Sequence, residues 1–205
     1  ASPDEFAESG LLMSIGDELM SRKQELGELL SREEGKPLAE GIGEVHRSAQ
    51  FFHYYAAEVL RQMGETAASV RPGIEIDVQR EPVGVVGIIT PWNFPMATAA
   101  WKIAPALAFG NAVVFKPANL VPASAWALTE IISRQPLPAG TFNLVMGSGS
   151  VVGESLIQSA DIDALTFTGS LQTGRRVAVA TAGNLVRCQL EMGSKNALVV
   201  LDDAD

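Results

Sequence analysis

Four short motifs of polar residues and glycine each follow an apolar run, and their residue types suit the binding of phosphate groups. The motifs are Thr90-Pro91-Trp92-Asn93-Phe94-Pro95, Lys116-Pro117-Ala118-Asn119, residues 146–153 and Phe167-Thr168-Gly169-Ser170. Glycine permits close approach of the backbone to a ligand, and the N-terminus of a helix offers unpaired N–H groups to phosphate oxygens. Two glycine-containing turns before predicted helices, together with a lysine at a neighbouring strand end, therefore indicate a dinucleotide site.

Each motif also has a purely structural interpretation. The spacing Gly147-x-Gly149-x-x-x-Gly153 is one residue longer than the usual dinucleotide fingerprint and equally suits a tight turn. Lys116 could be a solvated lysine at a strand end, Thr168-Gly169-Ser170 a helix N-cap, and Asn93 a residue that ties its loop to backbone groups. These interpretations account for each motif alone, but not for the order of all four along one chain.

The composition favours a folded protein and argues against several classes of function. The 205 residues are 47% hydrophobic, with a mean hydropathy of +0.16, which suffices for a sizeable core. The 15 basic and 24 acidic residues give a net charge of −9, which argues against nucleic acid as a partner. Two histidines and one cysteine do not match the usual zinc sites, and a single cysteine fits a reducing, cytoplasmic compartment.

The first third of the chain is predicted to be helical. Apolar residues recur at helical spacing over residues 6–30, and Gly35-Lys36-Pro37 breaks the pattern. A second helix is predicted over residues 38–62. Four aromatic residues are expected on its inner faces, namely Phe51, Phe52, Tyr54 and Tyr55.

Two later stretches lack a simple helical pattern. Residues 64–73 are polar and turn-rich, and the alternation of Ile74, Ile76 and Val78 with polar residues predicts a half-exposed strand. The apolar stretch 96–115 is interrupted by Lys102, Pro105 and a Gly-Asn turn. Because a membrane span needs about 20 uninterrupted apolar residues, we predict a helix and a strand here instead.

From residue 83 onward, short β-branched runs alternate with helical segments. Strands are predicted at residues 85–89, 112–115, 142–145, 164–167, 186–190 and 197–201, and helices at 97–109, 123–133, 151–158 and 173–180. This alternation predicts an α/β fold with a parallel sheet that helices cover on both faces. Such sheets bind ligands at the carboxyl ends of their strands, where the four motifs lie.

The order of the motifs resembles that of the aldehyde dehydrogenase superfamily. The matching residues, which span most of the chain, are Glu81-Pro82-Val83-Gly84, residues 90–95, Trp101-Lys102, Gly110-Asn111, Lys116-Pro117-Ala118, Leu137-Pro138-Ala139-Gly140, Phe142-Asn143, residues 167–170, Leu190-Glu191-Met192-Gly193 and Asp203-Ala204-Asp205. The resemblance implies a Rossmann-like doubly wound parallel sheet in a dinucleotide-binding domain (residues 82–205). It also implies an N-terminal helical segment (1–63) and part of a β oligomerisation arm (64–81), with the family's catalytic domain absent from this chain.

The resemblance also implies a chemistry. Family members attack an aldehyde with a cysteine, transfer hydride to a nicotinamide and hydrolyse the resulting thioester. By analogy, the side-chain NH₂ of Asn93 would donate to the oxyanion, Glu191 would be the general base for the hydrolytic water, and Lys102 would help relay its proton. We expect burial to raise the pKa of Glu191. The alternatives are a solvated acid for Glu191 and a snorkelling lysine for Lys102.

The cofactor implied by the resemblance is NADP or NAD. Lys116 would bond the adenosine ribose, the indole N–H of Trp92 a phosphate, and Ser170 the pyrophosphate. Gly169 would let the nicotinamide half approach the chain. Asn119 stands where NAD-preferring members usually carry a glutamate, so NADP is the expected preference. The other residues expected at the cofactor are Ile89, Thr90, Pro91, Asn93, Pro117, Ala118, Gly149, Gly153, Thr168 and Met192.

Two departures from the family pattern concern the nucleophile and a turn. The family's cysteine belongs to a Gly-Gln-x-Cys motif downstream of Asp203-Ala204-Asp205, so we expect this chain to be part of a longer polypeptide and inactive alone. Cys188, the single cysteine, is expected to be a buried and inert strand residue. Ser194 replaces the second glycine usual after the catalytic glutamate.

Residues 116–119, 142–149 and 190–196 look most like the bacterial branch that acts on 2-oxoglutarate semialdehyde (2,5-dioxovalerate). Succinate semialdehyde or an aliphatic aldehyde is the alternative substrate, and a non-catalytic dinucleotide-binding module is the alternative class. We expect a small aldehyde as partner, a homo-oligomer for the full-length protein, and neither a metal nor a membrane association.

Overall fold

The computed structural model describes residues 5–193 and 196–204, and its centre is a five-stranded parallel sheet. A two-stranded antiparallel hairpin precedes the sheet in the chain. The strands are β1 (Glu65–Ala68), β2 (Glu75–Val78), β3 (Val85–Ile89), β4 (Ala112–Lys116), β5 (Phe142–Leu144), β6 (Ala164–Gly169) and β7 (Arg187–Met192). The α-helices are α1 (Glu5–Ser21), α2 (Lys23–Glu34), α3 (Leu38–Glu58), α4 (Ala97–Ala108), α5 (Pro122–Ser133), α6 (Glu154–Gln158) and α7 (Leu171–Gly183).

The strand order β5-β4-β3-β6-β7 creates a topological switch point at β3. The chain proceeds outward from β3 through β4 to β5, then returns to β6 on the other side of β3 and proceeds to β7. The connections from β3 and β6 therefore leave the sheet in opposite directions, which opens a crevice beyond the carboxyl ends of these two strands. The predicted α/β fold with a doubly wound parallel sheet is confirmed.

Alternation along the strands supplies a core on each face of the sheet. Val86 and Ile88 of β3 belong to the larger apolar cluster, to which all five helices from α1 to α5 contribute. Val85 and Ile89 pack against the smaller cluster, to which α6 and α7 contribute. Both faces are covered because successive side chains of a strand point to opposite sides.

The N-terminal helices differ in detail from their prediction. The helix expected over residues 6–30 is divided at Arg22, whose guanidinium donates to Glu18 and Glu25. The helix expected to reach residue 62 ends at Glu58 and continues as a 3₁₀ turn. Tyr54 is 57% exposed, so its expected inner position is wrong. Phe52 and Ala56 lie on the buried face of α3. Tyr54 is two residues from each, a rotation of about 200° around the helix axis, so its side chain points to the opposite face.

The hairpin and the end of the chain are more exposed than predicted. The segment that forms β1 was expected to be turn-rich rather than a strand. β2 was expected to be half-exposed, and this is wrong, because all eight residues of β1 and β2 are exposed. The strand predicted at residues 197–201 does not form, and Leu198 is 90% exposed. A strand requires a paired neighbour to satisfy its backbone groups, and residues 197–201 have none among the described residues.

Cys188 is exposed, contrary to the expectation of a buried thiol. It lies on β7, which pairs only with β6 within the described ranges and is therefore an edge strand there. No helix of the described residues is sufficiently long and apolar to cross a bilayer.

Candidate active site

A cleft of about 380 Å³ lies at the carboxyl ends of β3, β6 and β7. Each strand end contributes three consecutive residues, namely Pro91, Trp92 and Asn93, then Thr168, Gly169 and Ser170, then Glu191, Met192 and Gly193. The three segments are adjacent because Ile89 is in register with Phe167, and Thr168 with Glu191. A larger cavity of about 580 Å³, on α3 and α4, contains none of the predicted site residues.

The Asn93 loop leaves β3 at Thr90, whose N–H donates to the carbonyl of Lys116 across the sheet at 3.3 Å. Asn93 is exposed to the cleft, and its side chain makes no hydrogen bond to the other described residues. The interpretation that this amide ties its own loop down is therefore wrong. Lys36 holds the loop instead, since its Nζ donates to the backbone carbonyl of Asn93 at 2.9 Å.

Glu191, at the end of β7, accepts two hydrogen bonds from neighbouring side chains. Thr168 Oγ1 donates to Oε2 at 3.0 Å, and Gln189 Nε2 donates to Oε1 at 2.9 Å. Burial raises the pKa of the carboxyl, but the Gln189 and Thr168 hydrogen bonds and the charge of Lys102 outweigh it and lower the pKa below its usual range. The expected rise is therefore wrong, and the carboxylate is ionised at neutral pH.

Lys102 lies on the side of α4 that faces the sheet and is 4% exposed. Its Nζ donates to Thr166 Oγ1 at 2.8 Å and to Gln189 Oε1 at 3.1 Å, and it lies 3.7 Å from Glu191 Oε2. Burial lowers the pKa of this ammonium, and the charge of Glu191 only partly offsets the effect. The snorkelling interpretation is wrong, because the ammonium is buried beside the candidate base.

Lys116 ends β4 and is also 4% exposed, so the interpretation of a solvated strand-end lysine is wrong. Burial lowers its pKa. Its Nζ lies 3.5 Å from Oδ1 of Asn119. Along this segment Pro117 is buried, Ala118 is half-buried and Asn119 is exposed. One strand away, the buried Thr90 Oγ1 has no hydrogen-bond partner among the described residues. Buried hydroxyls are normally satisfied, so this atom lacks the partner that its position would require.

Ser170 is the N-cap of α7, which is the structural interpretation of the motif Thr168-Gly169-Ser170. Its Oγ accepts from the backbone N–H of Thr173 at 3.2 Å and donates to Thr173 Oγ1 at 3.0 Å. Gly169 is required by local packing, because a Cβ there would lie 2.6 Å from the ring of Phe167. A Cβ on Gly174 of α7 would lie 2.2 Å from Met192 Sδ, so this glycine makes room for a residue that lines the cleft.

Gly149 and Gly153 are not part of the cleft. They bound a π-helical segment after β5, and β4 lies between that strand and β3. These two glycines therefore lie in a turn after β5, on the far side of β4 and Lys116 from the cleft. Ser194 and Asp205 lie outside the described residues. No group of three His, Cys, Asp or Glu side chains suited to a metal occurs within residues 5–193 and 196–204.

Three polar residues near the site were missed from the sequence. From the sequence, Lys36 was interpreted only as part of a turn that ends a helix. Glu44 lies in the middle of an amphipathic helix, where a glutamate is common. Gln189 is one polar residue in a short strand. No sequence pattern singles them out, since the contacts of the first two with the Asn93 loop join residues more than 50 positions apart.

Comparison with known proteins identifies a family. Residues 7–205 match the model of the Aldehyde dehydrogenase family. The chain is 42% identical over 197 residues to 2,5-dioxopentanoate dehydrogenase of Saccharolobus solfataricus, covering 95% of this chain and 41% of the relative. It is also 42% identical over 189 residues to mitochondrial succinate-semialdehyde dehydrogenase of Arabidopsis thaliana, covering 92% of this chain and 36% of the relative.

The fold also matches a solved structure. The crystal structure of betaine aldehyde dehydrogenase from Staphylococcus aureus in complex with NAD⁺ superposes with a TM-score of 0.92 at 34% identity, covering 94% of this chain and 38% of that one. The chain thus spans about two fifths of the length of these relatives. Sequence motifs, strand order and overall superposition agree, and the chain belongs to the aldehyde dehydrogenase family.

Proposed function

We propose that the protein containing this chain oxidises an aldehyde to a carboxylic acid with NADP or NAD, and that this chain supplies the cofactor-binding part. One observation carries the proposal. The cleft at the switch point brings an amide donor, Asn93, into the same space as a carboxylate, Glu191, with the buried Lys102 behind it. A module that only binds a dinucleotide has no use for this combination, which disfavours the non-catalytic alternative.

The cleft and its surroundings fit a dinucleotide. The unpartnered Thr90 Oγ1, the buried ammonium of Lys116 and the start of α7 after Ser170 lie along one edge of the sheet. An ammonium and the N-terminus of a helix both favour phosphate oxygens. A bound nicotinamide supplies a hydride acceptor. Trp92 lines the cleft and is 52% exposed, and we propose that its indole N–H donates to a phosphate.

Asn93 and Glu191 have separate tasks in the proposed reaction. The amide of Asn93 donates to the oxygen that becomes negative when a thiolate attacks the aldehyde carbon. Glu191 accepts the proton of the water that cleaves the thioester, and the Lys102 ammonium relays it by releasing one of its own protons as it takes the new one. We place the attacking thiol outside this chain. Cys188 lies three residues before Glu191 on β7, so the two side chains point to opposite faces of the strand.

The purified protein provides the test of this proposal. The full-length protein is expected to reduce NADP or NAD when an aldehyde is added, whereas the 205-residue chain alone is expected to show no thiol-dependent turnover. Absence of cofactor reduction by the full-length protein with every aldehyde tested, while it still binds the dinucleotide, would favour the non-catalytic module.

The substrate we propose is 2-oxoglutarate semialdehyde. Support comes from the 2,5-dioxopentanoate dehydrogenase relative, but the succinate-semialdehyde relative has the same identity. Succinate semialdehyde and aliphatic aldehydes are therefore the competing substrates. Comparison of kcat/KM among the three classes of aldehyde decides between them.

The remaining proposals concern the assembly. We divide the chain into the helical segment 1–63, an arm at 64–81 and the dinucleotide-binding domain 82–205. The exposed hairpin β1–β2, which lies in the arm, suits contact between copies in a homo-oligomer, since exposed strand edges pair readily with other strands. We propose a cytoplasmic location. Size-exclusion chromatography of the full-length protein with and without residues 64–81 tests the role of the arm.

Replacement of Asn119 with glutamate is expected to shift the cofactor preference from NADP towards NAD. Asn119 is exposed 3.5 Å from the Lys116 ammonium, and a carboxylate there would repel a 2′-phosphate and neutralise the lysine. A charge-assisted hydrogen bond contributes about 1.5–3 kcal/mol, so we expect the ratio of NADP to NAD affinity to fall about tenfold or more. Titration of both cofactors measures the ratio. The Asn119→Gln variant, which stays neutral, should keep the original preference, and an unchanged ratio in Asn119→Glu would refute the assignment.

Replacement of Lys102 with methionine is expected to move the acid limb of the kcat–pH profile to higher pH. The Lys102 charge lowers the pKa of Glu191, so its removal raises that pKa, and the carboxylate is then lost earlier as pH falls. The Lys102→Arg variant keeps the charge and should keep the limb in place. If the limb of the methionine variant coincides with that of the wild type, Lys102 does not tune Glu191.

A further inference from the structure

A buried ion pair in the N-terminal helical segment reaches the Asn93 loop. Lys36 lies in the turn between α2 and α3, and its Nζ is 2.6 Å from Oε2 of Glu44 on α3. The Glu34 carboxylate lies 3.1 Å from the same ammonium. The side chains of Lys36 and Glu44 are 8% and 1% exposed, respectively. Because little water surrounds the pair, its hydrogen bonds are stronger than those of a surface ion pair.

The Lys36–Glu44 pair holds the segment 93–97 at both ends. On one side, Lys36 Nζ donates to the carbonyl of Asn93 at 2.9 Å and lies 4.1 Å from the ring centroid of Phe94. On the other side, Glu44 Oε1 accepts from the N–H groups of Met96 at 2.9 Å and Ala97 at 3.0 Å. Glu44 therefore caps the start of α4 while its second oxygen holds the lysine that holds Asn93.

The Lys36 ammonium keeps its charge in this setting. Burial lowers the pKa of Lys36, but Glu44 and Glu34 outweigh it and raise the pKa above its usual range, so the ammonium keeps its charge. The Glu44 carboxylate faces the first N–H groups of α4, where a helix favours negative charge. Each charge thus has a partner, as a buried pair requires.

Asn93 depends on this support because its own side chain has no other anchor. The amide makes no hydrogen bond to the described residues, so only the position of its backbone and the flanking prolines direct it into the cleft. A donor that stabilises developing charge must be held within about 0.5 Å of its working position. The direct hydrogen bond from Lys36 to the carbonyl of that same residue restricts the backbone at this point.

We propose that Lys36 and Glu44 are positioning residues for Asn93, and that their ion pair fixes the amide donor in the orientation that catalysis uses. This inference rests on the proposed function, in which Asn93 donates to an oxyanion. Neither residue lines the cleft, and both act through the backbone of the segment 93–97.

The test is the double variant Lys36→Met/Glu44→Gln of the full-length protein. Both changes keep side-chain length, and Glu34→Gln is present in every protein compared, so that no carboxylate beside Lys36 is left buried without its partner. The introduced glutamine retains an oxygen for the N–H groups of α4, whereas the introduced methionine cannot donate to Asn93. The matched control is Glu33→Gln, because Glu33 caps α5 in the same way, accepting from the N–H groups of Ala123 at 2.6 Å and Ser124 at 2.9 Å.

The rate of the first hydride transfer, measured by rapid mixing at saturating aldehyde and cofactor, is expected to fall about tenfold or more in the double variant. It should change less than about twofold in Glu33→Gln. In an Asn93→Ala background the same double change should have almost no further effect, because the group that it positions is already gone. An equal loss in both backgrounds, or no loss in the wild-type background, would overturn the proposal.

Hydrogen exchange separates this inference from the proposed function. The backbone N–H groups of residues 92–94, 96 and 97 are expected to exchange faster in the double variant than in the wild type. In the Glu33→Gln variant the same N–H groups should exchange at the wild-type rate. This measurement needs no turnover. If the wild-type protein oxidises no aldehyde, the proposed function fails while accelerated exchange still supports the contact. Unchanged exchange over residues 92–97 overturns the positioning role.

Discussion

Replacement of Asn93 with alanine is expected to slow hydride transfer by about 10²–10³-fold, equivalent to about 2.7–4 kcal/mol of lost stabilisation of the transition state. In the proposed reaction this amide donates to the developing oxyanion, and it makes no hydrogen bond to other described residues that would give it a structural task. The rate is measured as the pre-steady-state appearance of reduced cofactor.

Two controls sharpen the Asn93 prediction. Asn93→Asp keeps the size of the side chain but replaces the NH₂ donor with an acceptor, so its loss should equal or exceed that of alanine. Asn143→Ala removes a different amide, which donates to the carbonyls of Val113 and Gly140 and is outside the cleft. This change should lower stability without slowing hydride transfer. A wild-type rate in Asn93→Asp would contradict the donor role.

Replacement of Glu191 with glutamine is expected to leave the first hydride transfer nearly intact and to lower the steady-state rate by about 10²–10⁴-fold, the usual contribution of a general base. Glutamine keeps the shape of the side chain but cannot accept a proton from water. The protein should therefore accumulate as the thioester, which mass spectrometry of the quenched reaction detects.

The lowered pKa of Glu191 gives this prediction a further feature. The hydrogen bonds from Gln189 and Thr168 and the charge of Lys102 keep the carboxylate ionised at neutral pH, so we expect the full-length protein to retain the proposed hydrolytic step in mildly acidic buffer. A control variant, Glu154→Gln, removes a carboxylate on α6 that pairs with Arg176 and should leave both phases unchanged. An undiminished steady-state rate in Glu191→Gln would refute the assignment of the base.

The elements that position the site were predictable from local patterns. The β-branched runs at 85–89 and 164–167 and the apolar helix at 97–109 match β3, β6 and α4 within two residues at each end. These segments are largely buried, so nearly every residue is apolar and the boundaries are sharp. β1 was missed because its four residues are exposed and carry no alternation of apolar side chains.

The electrostatics of the site were not predictable in the same way. The direction of the Glu191 pKa shift depends on Gln189, Thr168 and Lys102, which reach it from its own strand, the neighbouring strand and α4. Burial alone suggested the opposite sign. Likewise, the contact of Lys36 with Asn93 depends on how the turn after α2 packs against the end of β3. Local sequence does not determine such distances between remote segments.

The central claim is that Asn93 and Glu191 act at successive steps of one aldehyde oxidation in one cleft. Rapid-mixing kinetics of the full-length protein with both variants test it most directly. We predict a burst of reduced cofactor followed by turnover in the wild type, a slowed burst in Asn93→Ala, and a normal burst without subsequent turnover in Glu191→Gln. If both variants lose the same phase to the same extent, or if neither loses any, the two residues do not divide the reaction between them and the account is contradicted.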